Sequence, residues 1–474
     1  MFGQRNNIIE NFGTKQIAEI FFLLLPISFI VGNAVVTLNI LFFIFFGSVI
    51  IIKNKISFNF GLIDFVLIFF FIYLILLTSF HYTVPGQLKD ITSDWPLNEK
   101  PILKSIFLVR FYFLIFFINI LIVNKFIDLK KIFLVCLICT SFVSLDVIFQ
   151  YLTGYDFFGQ EGWDGRNSGP FGEEWIAGSY ISKLSFFSLF AIPLLFKKIK
   201  HNKILFSLIA ITHMLGIFFS GDRMPLLIFI FGFLLIIIFL KNIRKLMLIN
   251  LIIFTFIVYI VFNFDPSFQK RYAPILEKTG INKLLIIKND KSENNYKALT
   301  KEEARPEMPS TKESALERDK NLTKGARNFF NTYGSLVQTS YLIWKENKIF
   351  GYGLKSFRIK CWEILDRKEY MNLNLNCSTH PHSYYMEIIS ETGLIGLTTI
   401  LIFFFLLTKV IFNNLKNIRL YNDEKIYLYI PIIILFFLEI WPLRTSGSFF
   451  TAWNGSLFWL VAAMMISIKK NKSS

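Results

Sequence analysis

The sequence predicts an all-α integral membrane protein with about twelve transmembrane helices and one large polar loop between the ninth and the tenth. Three observations lead there. Of the 474 residues, 54% are hydrophobic and 18% aromatic, with a mean hydropathy of +0.52. A water-soluble chain cannot hide that much apolar surface, so lipid has to be its solvent. The apolar residues also fall in runs close to the roughly 20 that a helix needs to cross the hydrocarbon. Finally, the loops between the runs alternate between basic and neutral-to-acidic, the pattern of the positive-inside rule.

In chain order the runs cover residues 17–31, 34–52, 60–80, 102–123, 131–152, 179–196, 203–219, 224–240, 246–263, 393–412, 426–442 and 450–468. The first lacks a small-residue cleavage site and reads as a retained helix, not a signal peptide. Connections 53–59, 124–131, 197–203, 241–245 and 409–425, with the tail KKNK, are basic and therefore cytoplasmic. HYTVPGQLKDITSDW (81–95) and TGYDFFGQEGWDG (153–165) fall on the outer side, and both termini inside. The net charge of +17 follows from those loops. No basic stripe lies outside them, so no nucleic-acid partner is implied. The chain then divides into nine helices over 1–263, an outer loop over 264–392, and three helices with a tail over 393–474.

The outer loop is the chain's one long polar stretch. Long loops translocate largely regardless of charge, so its lysines do not oppose the placement. Residues 284–326 have mixed charge and few aliphatic side chains, the composition of a solvated insertion. After it, Phe329, Leu336, Tyr341 and Leu342 recur at helical spacing and the pattern stops at Gly351 and Gly353. That reads as an amphipathic helix on the outer membrane surface. Cys136 and Cys139 lie in an apolar span as ordinary core residues. Cys361 and Cys377 lie in the outer loop, where an oxidising compartment favours a disulfide between them.

The loop ends in CSTHPHSYYMEIISETGLIGL (377–397). Pro381 suits a first helical position and Gly393 a stop or hinge, which puts His382 in the first turn of a short helix. A helix N-terminus welcomes an anion such as phosphate and favours neutral imidazole, the form that acts as a general base. Glu387 and Glu391, four residues apart, share a helical face from which either can orient the imidazole. His380 stands beside it as a second contact. Two other readings compete: polar residues at a membrane surface, or a metal pair, for which only His81 offers an outer third ligand.

Four arginines lie at a similar outer depth. Arg223 sits in the tight turn SGDRMPLL, Arg166 in the Gly-rich loop before the sixth span, Arg271 just after the ninth, and Arg444 at the outer end of the eleventh. Each alone reads equally as headgroup snorkelling. Four together beside histidines suit a pyrophosphate cradle. Asp64, Arg110, Asp146 and Glu439 fall inside apolar spans, where an ionisable group has to be paired or face a wet cavity.

Five stretches resemble a known family: RNSGPFGEEWIAGSYIS, SGDRMPLL, NKIFGYGLKSFRIKC, the histidine stretch, and WPLRTSGSFFTAWNGSLFW. In order and spacing the chain is similar to the O-antigen ligases of the polysaccharide polymerase and ligase superfamily, integral-membrane glycosyltransferases of Gram-negative bacteria. The histidine motif followed by E-T-G-x-x-G is the specific part; the arginine turn is weak alone. The family usually carries Asn where Ser383 stands, and the 284–326 insertion is longer than its pattern. The resemblance implies an undecaprenyl-pyrophosphate-linked glycan donor, a lipid A-core acceptor hydroxyl, membrane lipid around both, and no cofactor or metal. It also implies an inner-membrane location with the site facing the periplasm. His382, next to Ser383, is then the base. Arg223, Arg271 and Arg166 hold pyrophosphate, with His380 and Arg444 as further contacts. A polymerase and a protein O-oligosaccharyltransferase share the architecture. A transporter predicts internal repeats and broken helices at mid-membrane, which the sequence does not show.

Overall fold

A computed structural model describes residues 13–84, 88, 100–163, 165–196, 202–269, 271–272, 329–418, 423–445 and 447–468. The 284–326 insertion, most of 81–95 and the C-terminal KKNK lie outside them. Among the described residues the secondary structure is helical, with only two isolated β-bridges in the loop after residue 153.

The helices are α1 (Thr14–Leu23), α2 (Leu25–Val31), α3 (Asn33–Lys53), α4 (Leu62–Thr83), α5 (Pro101–Leu108), α6 (Arg110–Val123), α7 (Leu129–Thr153), α8 (Ala177–Leu195), α9 (Asn202–Phe219), α10 (Arg223–Phe239), α11 (Arg244–Phe264), α12 (Phe329–Glu346), α13 (Phe357–Asp366), α14 (Tyr384–Ile418), α15 (Asp423–Glu439) and α16 (Ala452–Ile468). Among the described residues, eight helical segments are long and apolar enough to cross a membrane, or nine if α1 and α2, bent by 49°, make one crossing. The remaining three expected crossings fall on α10, α15 and α16, each 17 residues long. That is short of the roughly 20 residues that span hydrocarbon.

α8 is the hub. It buries 83% of its apolar window, against 22% for the segment ending in α11, which faces outward. Composition explains the difference. Ala177, Gly178, Ser182, Ser185, Ser188 and Ala191 keep α8 slim, so α7, α9, α10 and α15 can pack around it. The same small polar residues lower its hydropathy to 1.3, which a helix facing protein tolerates. One polar junction pins this centre. The buried His213 of α9 lies 3.1 Å from Ser144 Oγ of α7 and 2.7 Å from Ser188 Oγ of α8.

Asp64, Arg110, Asp146 and Glu439, the four that the sequence singled out, have different partners. Asp64 accepts the Gly61 N–H at the start of α4, Asp146 accepts the Phe157 N–H, and Arg110 donates to the Phe107 carbonyl. Glu439 alone of the four is ion-paired among the described residues, to Lys183 and Arg444.

The described part of the outer loop builds its own small core. Leu336, Leu342 and Ile343 of α12 meet Phe357, Cys361 and Ile364 of α13. The apolar face of α12 is therefore largely covered by α13, while Val337 and Tyr341 remain exposed. α12 ends at Glu346, five residues before the glycines that the periodicity suggested as its stop. Cys361 and Cys377 are joined by a disulfide with Cα atoms 5.3 Å apart.

α14 is two helices broken at Gly393, whose φ of +62° suits glycine. The break is where the 348–353 segment docks. Leu394 and Ile395 donate to the Lys348 and Ile349 carbonyls at 2.9 and 3.2 Å, and Gly353 donates to Glu391 at 2.7 Å. A Cβ on Gly351 would come within 2.6 Å of the Glu391 carbonyl oxygen, so both glycines are needed for the approach.

Candidate active site

A cavity of about 610 Å³ lies where the N-terminal ends of α8, α10 and α16 meet the C-terminal end of α15. Three helix N-termini at one cavity bias it toward an anion, because each leaves unpaired N–H groups and a partial positive charge there. Its wall carries Arg166, Arg223, Arg271 and Arg444 together with His380 and His382. These six come from five separate stretches of chain and share one space.

Three of the arginines are interlocked through their loops. Arg271 Nε donates to the Gly221 carbonyl at 3.1 Å, in the turn preceding Arg223. The Arg166 loop is tied to the same turn by Asn167, whose Nδ2 donates to the Phe219 carbonyl at 2.7 Å. The Arg166 guanidinium lies 5.6 Å from the centroid of the Trp175 ring. Burial lowers Arg271 to about 10, and the like charges of Arg166 and Arg223 push the same way. Burial, reinforced by Arg166, also lowers Arg223.

The nearest carboxylate answers these charges incompletely. Asp222, immediately before Arg223, packs its buried carboxyl against Gly178 at the start of α8. A Cβ at Gly178 would come within 2.7 Å of the Asp222 side chain, so the contact requires glycine. Burial raises Asp222 from 3.8 to about 7, although Arg166 and Arg271 pull it down. Three guanidiniums thus share one buried carboxyl whose charged form burial disfavours, and the surplus positive charge fits an anionic ligand.

The histidines differ from the sequence reading in one respect. α14 begins at Tyr384, so His382 precedes the helix instead of occupying its first turn. Its φ is +54°, a left-handed conformation uncommon outside glycine. The carbonyl of Ser383 accepts the Glu387 N–H at 2.9 Å, which makes Ser383 the helix-starting residue. The left-handed turn brings the two imidazoles together, with ring centroids 4.2 Å apart and planes inclined at 46°. Tyr333 of α12 sits edge-on to His382 at 5.4 Å, and Thr379 Oγ1 lies 3.1 Å from His380 Nδ1.

Glu387 and Glu391 are buried and take their hydrogen bonds from other stretches of chain. Glu387 accepts the Ser448 hydroxyl at 2.5 Å and the Phe449 N–H at 2.6 Å. Glu391 accepts the Lys355 and Phe357 N–H groups at 2.9 and 3.5 Å. One face of the helix after the histidines thereby clamps two loops, 448–449 and 355–357. The support these carboxylates give is to the walls of the site, not to an imidazole.

A family model described as O-Antigen ligase matches residues 205–401. Over this stretch the chain is similar to the O-antigen ligases. Among curated proteins, none matches it. The matched span contains Arg223, Arg271, both histidines, both clamp glutamates and the two bridged cysteines. Arg166, Lys183, Glu439 and Arg444 lie outside that span and reach the cavity through the fold.

Sequence reasoning passed over several lining residues of the cavity, among them Lys183, Asp222, Tyr333, Trp453 and Asn454. For Lys183 a signal existed: it is an isolated lysine within an apolar run. Asp222 was visible beside Arg223, but nothing local marks a carboxyl whose partners lie at the start of α8.

Proposed function

We propose that this protein transfers a glycan from an undecaprenyl-pyrophosphate carrier to a sugar hydroxyl of lipid A-core at the periplasmic face of the inner membrane. The observation that carries the reading is the single cavity lined by two histidines and four arginines, at the junction of three helix N-termini. A lipid-linked pyrophosphate donor needs cations at membrane depth, and an acceptor hydroxyl needs a base beside them. The chain crosses the membrane twelve times in this reading, with both termini cytoplasmic. The alternation of basic loops supports it.

His382 takes the proton from the acceptor hydroxyl as that oxygen attacks the anomeric carbon. The bond from the anomeric carbon to the pyrophosphate oxygen breaks on the opposite face, so the configuration inverts in one step. Negative charge grows on the departing pyrophosphate, where Arg223 and Arg271 act most strongly and Arg166 adds to them. His380 and Arg444 hold the bound anion.

Reconstitution with a defined lipid-linked glycan tests the assignment. One arm offers lipid A-core as acceptor and the other offers more of the same donor. Elongated lipid A-core supports a ligase. Growth of the donor glycan instead makes the protein a polymerase, and no new glycosidic bond in either arm rejects transfer altogether.

A further inference from the structure

The floor of the cavity holds a cluster that the reaction above does not use in full. Lys183, from the second turn of α8, and Arg444, after α15, converge on Glu439, the last residue of α15. Lys183 Nζ lies 3.3 Å from Glu439 Oε1, and Arg444 Nη1 lies 3.2 Å from the same oxygen. Lys183 and Glu439 are 5% and 1% exposed, so water screens this cluster very little. Around them, Lys183 Nζ is 3.3 Å from Asn454 Oδ1 and 5.2 Å from the centre of the Trp453 ring.

The charges do not balance. One carboxylate faces two cations, leaving a net charge of one positive unit in a buried setting. A buried charge without a counterion costs several kcal/mol, so a cluster meant only for packing would be neutral. An ammonium has three hydrogens, and among the described residues Asn454 accepts one while Glu439 makes an ionic contact without a hydrogen bond. Lys183, Glu439, Arg444 and Asn454 all line the cavity, so the surplus charge and the donors that carry it border its contents.

We propose that Lys183, with Arg444, forms a second anion subsite at the floor of the cavity and holds a phosphate oxygen of the lipid-linked donor. Glu439 positions both cations and sets their net charge. This rests on the transfer reading above, which supplies the pyrophosphate, and adds a positioning residue from a helix that reading had left out. The anion could instead ride on the acceptor, a source the experiment has to separate.

The test uses the full-length protein in phosphatidylcholine nanodiscs with geranylgeranyl pyrophosphate as the probe. Affinity and thermal unfolding are measured for wild type, Lys183→Met, Lys183→Arg and Glu439→Gln. Lys183→Met leaves Glu439 and Arg444 as a neutral pair. It is expected to unfold no earlier than wild type yet bind the probe about tenfold to a hundredfold more weakly, the usual effect of losing a hydrogen bond to a charged group. Lys183→Arg keeps the charge and most of the affinity. Glu439→Gln, which raises the cluster's charge, binds the probe at least as tightly as wild type if it folds. Unchanged probe affinity in Lys183→Met with earlier unfolding would make the lysine a structural partner and overturn the subsite. Unchanged probe affinity with a raised KM for lipid A-core would move the anion to the acceptor, which also overturns it. If Arg223→Lys loses affinity and Lys183→Met does not, the subsite fails while the transfer reading stands. Failure of wild type to bind the probe at all rejects both.

Discussion

Asp222→Asn isolates the electrostatics of the arginine cluster. The Asp222 carboxyl is buried against the N-terminus of α8 and raised from 3.8 to about 7, while Arg166 and Arg271 act on it in the opposite direction. Below pH 7 it is mostly neutral and the three arginines present their full charge. Above pH 7 it ionises and cancels part of that charge. Binding of an anionic ligand is therefore expected to weaken as pH rises through 7. A unit charge about 7 Å from a bound phosphate, at an effective dielectric near 20, amounts to roughly 2 kcal/mol, so the change in affinity reaches at most about thirtyfold. Asparagine mimics the size and neutral charge of the protonated acid. The variant is expected to hold the low-pH affinity across pH 6–8, where wild type loses it.

Stability moves in the same window. The native carboxyl binds its proton more tightly than the unfolded one, so between about pH 4 and 7 the native state carries more protons and stability falls as pH rises. A shift from 3.8 to about 7 corresponds to roughly 4 kcal/mol at full ionisation. Asp222→Asn removes that slope, most visibly near pH 8, where the variant is expected to melt higher than wild type. Parallel measurements of probe affinity and melting temperature at pH 5, 6, 7 and 8 decide the matter. Identical pH profiles for variant and wild type in both would refute the account of Asp222.

Further outcomes follow from the same geometry. His382→Ala is expected to lose about 10² to 10⁴-fold in glycan transfer by the reconstituted protein, the usual contribution of a general base, while His380→Ala loses less. Near-normal transfer by a well-folded His382→Ala variant would remove it from the role of base. Arg223→Lys is expected to remain impaired, because an ammonium lacks the two-pronged grip of a guanidinium on phosphate; restored transfer would show that charge alone suffices. Reducing the Cys361–Cys377 bridge, which closes a loop with a sequence separation of 16, is expected to cost about 3 kcal/mol of stability. Melting temperatures with and without reductant measure it, and equal values would show that the bridge adds nothing.

The sequence by itself determined the class of protein and its solvent. A membrane helix is a local object: about 20 apolar residues satisfy their own backbone, and loop charge is counted without knowing any contact. The arginines and histidines stood out for the same reason, since polar groups near lipid are costly and conspicuous. Tertiary structure alone decided which of them share a space. Lys183 and Glu439 are 256 positions apart (439 minus 183), and nothing near either residue says that α8 and α15 pack side by side. It also decided the direction of Glu387 and Glu391. Their spacing shows a common helical face, but that face receives the 448–449 and 355–357 loops, whose approach depends on the break at Gly393. The left-handed turn at His382 was equally hidden, because a backbone conformation of that kind is imposed by the packing on either side of it and not by the residue. Side-chain chemistry is written along the chain, whereas the low-dielectric surroundings that set its charge come from residues hundreds of positions away.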